Sequence, residues 1–291
     1  MSNIKYFAFA GEGNPVHPPV EPKKARVNAV WMDGSMIEGC MFNEASWYLM
    51  PCKEQGLVKH HSDKVMFFIG GNPKNPESLN STIHLRIEND RLTLTNTCAV
   101  FIPEGVAHGN LEVTNLDIPF FCYTCHLNTD KYDTFPAEAT AVPGTYANFY
   151  VEKYERPDGK IPEAPEGFIK FLVYLDGKRM KGAPYAEAVW FLTTNDTGPA
   201  PHSHEDFDEF IGFIGTDPEH PAELNAEIVF YVEDERISVT KSCLVYIPRG
   251  IRHSPILVPK LERPILHFSG GNGGDYERKG DEHRDENMFR I

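Results

Sequence analysis

The sequence predicts an all-β protein made of two tandem copies of one sandwich or barrel domain. An internal repeat, short β-rich segments cut by turn residues, and period-2 alternation of apolar and polar positions carry that prediction. Ile69-Gly-Gly-Asn-Pro-Lys-Asn-Pro76 aligns with Ile214-Gly-Thr-Asp-Pro-Glu-His-Pro221 at an offset of 145, and the offset holds without a gap until His108 lies over His253. Of the 40 pairs in that stretch 16 are identical, which marks a duplication. Upstream the match resumes at an offset of 143, pairing Glu44-Ala-Ser-Trp-Tyr-Leu49 with Glu187-Ala-Val-Trp-Phe-Leu192.

Along the chain, an arm from Tyr6 to Val27 with four prolines comes first. Such an arm covers a sheet edge, within the chain or by exchange with a second copy in a homodimer. In the first copy, Thr82-Ile-His-Leu-Arg-Ile87 and Leu92-Thr-Leu-Thr95 flank Glu88-Asn-Asp-Arg91 and predict a hairpin. The Pro-, Gly-, Thr- and Asp-rich stretch from about Asn128 to Gly167 is the joint, so the expected domains are 1–145 and 146–291. In the second copy Arg236-Ile-Ser-Val-Thr-Lys241 alternates as a half-buried strand does. The Gly-rich, charged end after Gly270 is a tail whose last residues, Met288-Phe-Arg-Ile291, fray or dock on a partner subunit.

Composition narrows the function. Hydrophobic residues make up 41% and charged residues 24%, enough for a real core. Lys plus Arg is 28 against 42 for Asp plus Glu, and the net charge of −14 repels phosphate backbones and anionic lipid, so neither nucleic acid nor a membrane surface is an expected partner. With no signal-peptide pattern and no spanning apolar run, the expected location is cytoplasmic. Cys122 and Cys125 form a CxxC inside an apolar strand, away from the strand-to-helix turn that redox pairs use, and Cys98 and Cys243 end apolar strands; all read as structural thiols.

The chemistry concentrates in the second copy. His202 and His204 sit two apart, so on a strand both imidazoles face one side and close on one ion. Glu209 opens the apolar run Phe210-Ile-Gly-Phe-Ile214, expected to return antiparallel beside the histidine strand, with Asp208 its one-residue competitor. His253, just past the Pro248-Arg-Gly250 turn, supplies a fourth ligand. His267, on the following strand, faces the cavity as a proton-transfer group or takes a core or surface position. Arg252 pairs with an anionic substrate or faces solvent. In the first copy His60 and His108 match His202 and His253, but Ser62 replaces His204, and Lys64 or Val65 falls near the place of Glu209. His61 or Asp63 would substitute only by a register shift, which turns every side chain to the other face.

His-x-His, four residues, Glu, and then Pro-x-Gly-x-x-His resembles the two motifs of the cupin superfamily. Three residues separate Gly198 from His202 where the family usually has five, a departure in the loop and not in the ligands. Because the pattern occurs in both copies, the chain resembles a bicupin. The resemblance implies two cupin-type double-stranded β-helix (jelly-roll) barrels. It also implies one divalent transition metal (Fe, Mn, Ni, Zn, Co or Cu) on His202, His204, Glu209 and His253, and a degenerate first site around His60, His61 and His108. The implied function is a metal-dependent enzyme acting on a small oxygenated organic substrate, of the dioxygenase or oxidase type or a decarboxylase. Ring-cleavage dioxygenases of the gentisate type omit the glutamate, so Glu209 favours the oxalate or flavonol kind of site. The alternative is a non-catalytic bicupin, a metal-binding sensor or a storage protein.

Overall fold

The computed structural model describes residues 2–15, 20–155, 164–273, 276, 279–280 and 289–290. Nearly all regular structure is β-strand, arranged as an all-β jelly roll in each of two compact units. Among the described residues no helix is long and apolar enough to cross a membrane.

The N-terminal unit is Glu12–Lys153. One of its sheets runs Tyr150–Val151, Cys98–Ile102, Lys64–Gly70, Phe120–His126, Phe42–Tyr48, Arg26–Met32 in hydrogen-bonded order. The second sheet is centred on His108–Thr114, with Ser78–Ile87 and then Asp90–Asn96 along one side. Ser78–Ile87 alternates half-buried and buried positions without exception, as a strand with one face on the core requires. Phe68, Ile83, Leu85, Leu94, Val100 and Phe120 fill the core. The expected hairpin is present, turning at Glu88 and Asn89.

The C-terminal unit is Met1–Gly11 with Tyr154–Ile291. Its first sheet runs Phe7–Phe9, Cys243–Ile247, Glu209–Ile214, Ile265–Gly271, Ala186–Phe191, Ile169–Leu175; its second runs Glu235–Lys241, Glu223–Val232, His253–Leu261, His202–Ser203, Lys279–Gly280. Phe191, Phe213, Ile228, Phe230, Val245 and Ile265 form the core between them. The repeat offset survives as strand register: Ile102 pairs Lys64 as Ile247 pairs Glu209, and Phe121 pairs Ile69 as Leu266 pairs Ile214. Glu88 and Glu233, also 145 apart, both take a left-handed turn, with φ of 51° and 54°.

The sequence places the domain boundary at 145/146, whereas the contact division falls after Lys153 and gives Met1–Gly11 to the C-terminal unit. Edge pairing explains both differences. Tyr150–Val151 adds to Cys98–Ile102, and Phe7–Phe9 adds to Cys243–Ile247, the equivalent strand of the other unit. The arm therefore covers an edge within its own chain. Backbone pairing also ties Phe289–Arg290 to Thr197–Gly198; Met288, Ile291, Pro18 and Pro19 lie outside the described residues. All six cysteines are free and buried.

Candidate metal centre

In the C-terminal unit His202 pairs directly with His253 in one sheet, and His204 follows as the chain leaves it. Glu209 does not return beside this strand as expected. It opens a strand of the facing sheet, between Cys243–Ile247 and Ile265–Gly271, so its carboxylate reaches the histidines across the sandwich. Glu205 to Asp208 make the crossing. Phe207 is buried there and stacks on the His204 ring, with centroids 4.4 Å apart. Asp208 is not a competitor for Glu209: it accepts hydrogen bonds from the Arg249 backbone N–H (2.9 Å) and from the Asn272 amide (3.0 Å).

The backbone fixes which imidazole nitrogen faces inward. A carbonyl can only accept, so Nδ1 of His202 donates to Ala200 O at 2.8 Å and Nδ1 of His253 donates to Ile251 O at 3.1 Å. Both Nε2 atoms then carry lone pairs. Ligand atoms of His202, His204 and His253 lie within 4.8 Å of one another, and Glu209 Oε2 is 2.9 Å from His253 Nε2 and 3.6 Å from His204 Nε2. All four residues are buried. Lone pairs and a carboxylate turned on one another out of water need a cation or a proton between them. The donor set, three imidazoles and one carboxylate, fits a divalent transition ion. Burial alone would raise the Glu209 pKa, but His204 and His253 bring it down to about 2. Burial opposes charge on His253 as well, yet the Glu209 carboxylate leaves its pKa raised.

His267 sits on the strand next to Glu209, its ring stacked between Phe191 (4.7 Å) and Phe213 (5.0 Å). Its Nδ1 donates to Gly212 O at 3.1 Å, and burial lowers its pKa to about 4, so the ring is neutral near pH 7. It lines a cavity of about 100 Å³ with Glu187, which sequence reasoning did not single out. Arg252 lies elsewhere, on a turn, with a half-exposed side chain 3.5 Å from Asp234.

The N-terminal unit brings His60 and His108 together, with ring centroids 5.0 Å apart. His61 is not with them; it is exposed and packs on Phe135. The third imidazole is His126, 4.2 Å from His60 by ring centroid. Its repeat partner is Gly271, so the duplication carried no signal for it. Lys64 takes the register position of Glu209, and its amine is 3.3 Å from His108 Nε2. A buried amine, its pKa lowered by burial, thus stands where the other unit has a carboxylate. Among the described residues only His202, His204 and His253 meet as three ligand atoms within that short range.

Burial, then Lys64, lowers the His60 pKa to about 3, and burial holds His108 and His126 well below the usual value. Below pH about 6.5 the unfolded chain takes up protons that these folded histidines refuse, so stability present above that pH is lost as pH falls. Each histidine contributes about 1.4 kcal/mol per pH unit. Thermal melts between pH 7.5 and 5 are expected to fall steadily, and His126→Phe to fall less steeply; equal slopes would refute this account.

No family model and no curated protein matches the sequence. Solved structures do match in fold. Oxalate decarboxylase from Bacillus subtilis aligns over 92% of this chain and 79% of its own, with a TM-score of 0.53 and 10% identity. AerE from Microcystis aeruginosa aligns over 92% of this chain and 98% of its own, with a TM-score of 0.53 and 14% identity. The Bacillus enzyme is a protein with Mn(II) centres. At these identities the likeness assigns an all-β jelly-roll fold and nothing finer.

Proposed function

We propose that the chain is a bicupin and a metal-dependent enzyme, acting on a small oxygenated organic molecule in its C-terminal unit by an oxidase, dioxygenase or decarboxylase type of reaction. The observation that supports this reading is the convergence of His202, His204, His253 and Glu209 in one buried cluster. A bound divalent ion would supply Lewis acidity toward a substrate oxygen, or electron transfer to dioxygen if it is redox-active. The chain's own groups do the rest. Ala200 and Ile251 carbonyls fix the orientation of two ligand rings, and the Glu209 charge offsets that of the ion. Neutral His267 offers Nε2 as a proton acceptor, and the phenylalanines around it exclude water. The Mn(II) centres of the decarboxylase of similar fold make manganese the first ion to test.

Elemental analysis of purified protein is expected to give about one transition ion per chain, because Lys64 takes the carboxylate's place in the N-terminal unit. The count should be unchanged in His108→Ala. Two ions per chain, or loss of the ion in that variant, would overturn the one-site assignment. A metal-loaded protein that binds small molecules but turns none over, in air or anaerobically, would be a sensor and not an enzyme.

A further inference from the structure

Resting on that reading, we infer that Tyr276 is a positioning residue: with the strand Lys279–Gly280 it clasps the His202–His204 pair in the geometry that binds the ion, and it slows the ion's departure. The two histidines are held in different ways. His202 lies inside its sheet, paired with His253 on one side and with Gly280 on the other. Without Lys279–Gly280, the strand His202–Ser203 would be an edge of two residues with one neighbour to keep its register.

His204 comes just after that strand ends, where its carbonyl accepts from the Gly250 N–H at 2.7 Å. Its ring meets two others. Phe207 stacks on it, with centroids 4.4 Å and planes 19° apart, and Tyr276 meets it edge-on at 5.3 Å and 62°. Tyr276 is buried and lies 4.8 Å from Tyr185, in a cluster with Tyr174 and Phe207. Rings packed in this way leave an imidazole few directions in which to turn. Residues close in sequence thus reach both histidines, His204 through a ring and His202 through the backbone. Farther on, Phe289 and Arg290 pair with Gly198 and Thr197, just ahead of His202. An ion leaves when a ligand turns away from it, so a wall on the His204 ring lengthens the bound lifetime, as groups that orient metal ligands do.

The test uses the cobalt(II)-loaded protein, whose visible bands report the ligand geometry of the ion, followed as an excess of chelator removes the metal. Wild type, Tyr276→Phe, Tyr276→Leu and Tyr276→Ala are compared, and the metal-free form of each is melted. Tyr276→Ala and Tyr276→Leu are both expected to release the ion about 10–100-fold faster, with shifted bands. The leucine keeps apolar bulk in the cluster and so guards against loss of the fold. Tyr276→Phe keeps the ring and should stay within about twofold of wild type. Unchanged release and bands in Tyr276→Leu and Tyr276→Ala, with only the metal-free melt lowered, would reduce Tyr276 to packing and overturn the inference. Release from Tyr276→Phe as fast as from Tyr276→Leu would overturn it too. Failure of the metal reading looks different: wild type itself takes up no cobalt, and the inference falls with it.

Discussion

Replacing His204 or Glu209 by alanine is expected to abolish stoichiometric metal binding, lowering affinity by more than the 10–100-fold that loss of a group merely supporting a ligand costs. Each removes one of four donors from a buried site, and the remaining three cannot fill the shell or, without Glu209, offset the ion's charge. The ion also stabilises the fold it binds, by about 4 kcal/mol when present at a thousand times its dissociation constant. Wild type should therefore melt higher with the ion than after chelation, and the variants should melt at one temperature in both states. Elemental analysis and paired melts check this; an alanine variant that keeps its ion would remove that residue from the ligand set.

Gly215→Ala is expected to destabilise the C-terminal unit by about 3 kcal/mol, the upper end of overpacking costs. A Cβ at Gly215 would lie 1.9 Å from the Glu223 carbonyl oxygen, and at Gly70 2.0 Å from that of Ser78. Those carbonyls are again 145 apart, so the Ile-Gly of each repeat marks the same close approach of two backbones. The neighbour cannot give way, because Glu223 opens a ten-residue strand and Leu224 behind it is fully buried. The melting temperature should drop by roughly 6–12 °C. Gly250→Ala is the control: its φ is +79°, but nothing lies within 4 Å of the added Cβ. It should cost about 1 kcal/mol. A fall of less than about 2 °C for Gly215→Ala would refute the steric argument.

Much of the fold was legible because the duplication writes each strand twice. The His202–His204 spacing and the Pro-x-Gly-x-x-His253 turn belong to single elements, so local spacing located them. The position of Glu209 in the opposite sheet was not legible, since four residues between His204 and Glu209 serve a hairpin turn and a crossing equally well. Side-chain partners such as Asp208 with Arg249 and Asn272 depend on strands far apart in sequence. Lys64 was visible only as one of two adjacent choices until register selected it. His126 and Glu187 each needed the inward parity of a strand, which neighbouring sheets decide. The reach of Phe7–Phe9 across the chain left no mark in composition beyond the prolines that follow it.

That reach has a consequence for how the molecule comes to be. The ribosome delivers Phe7–Phe9 long before its partner Cys243–Ile247, so the earlier strand completes no sheet until the later one has been made. The closure itself is inexpensive, since each doubling of loop length adds only about 0.6 kcal/mol, but contacts between segments far apart in sequence slow the search for the native topology. During synthesis the strand edge at Cys243–Ile247 is met by a segment already made, and a chain without Phe7–Phe9 leaves that edge without the strand that pairs with it.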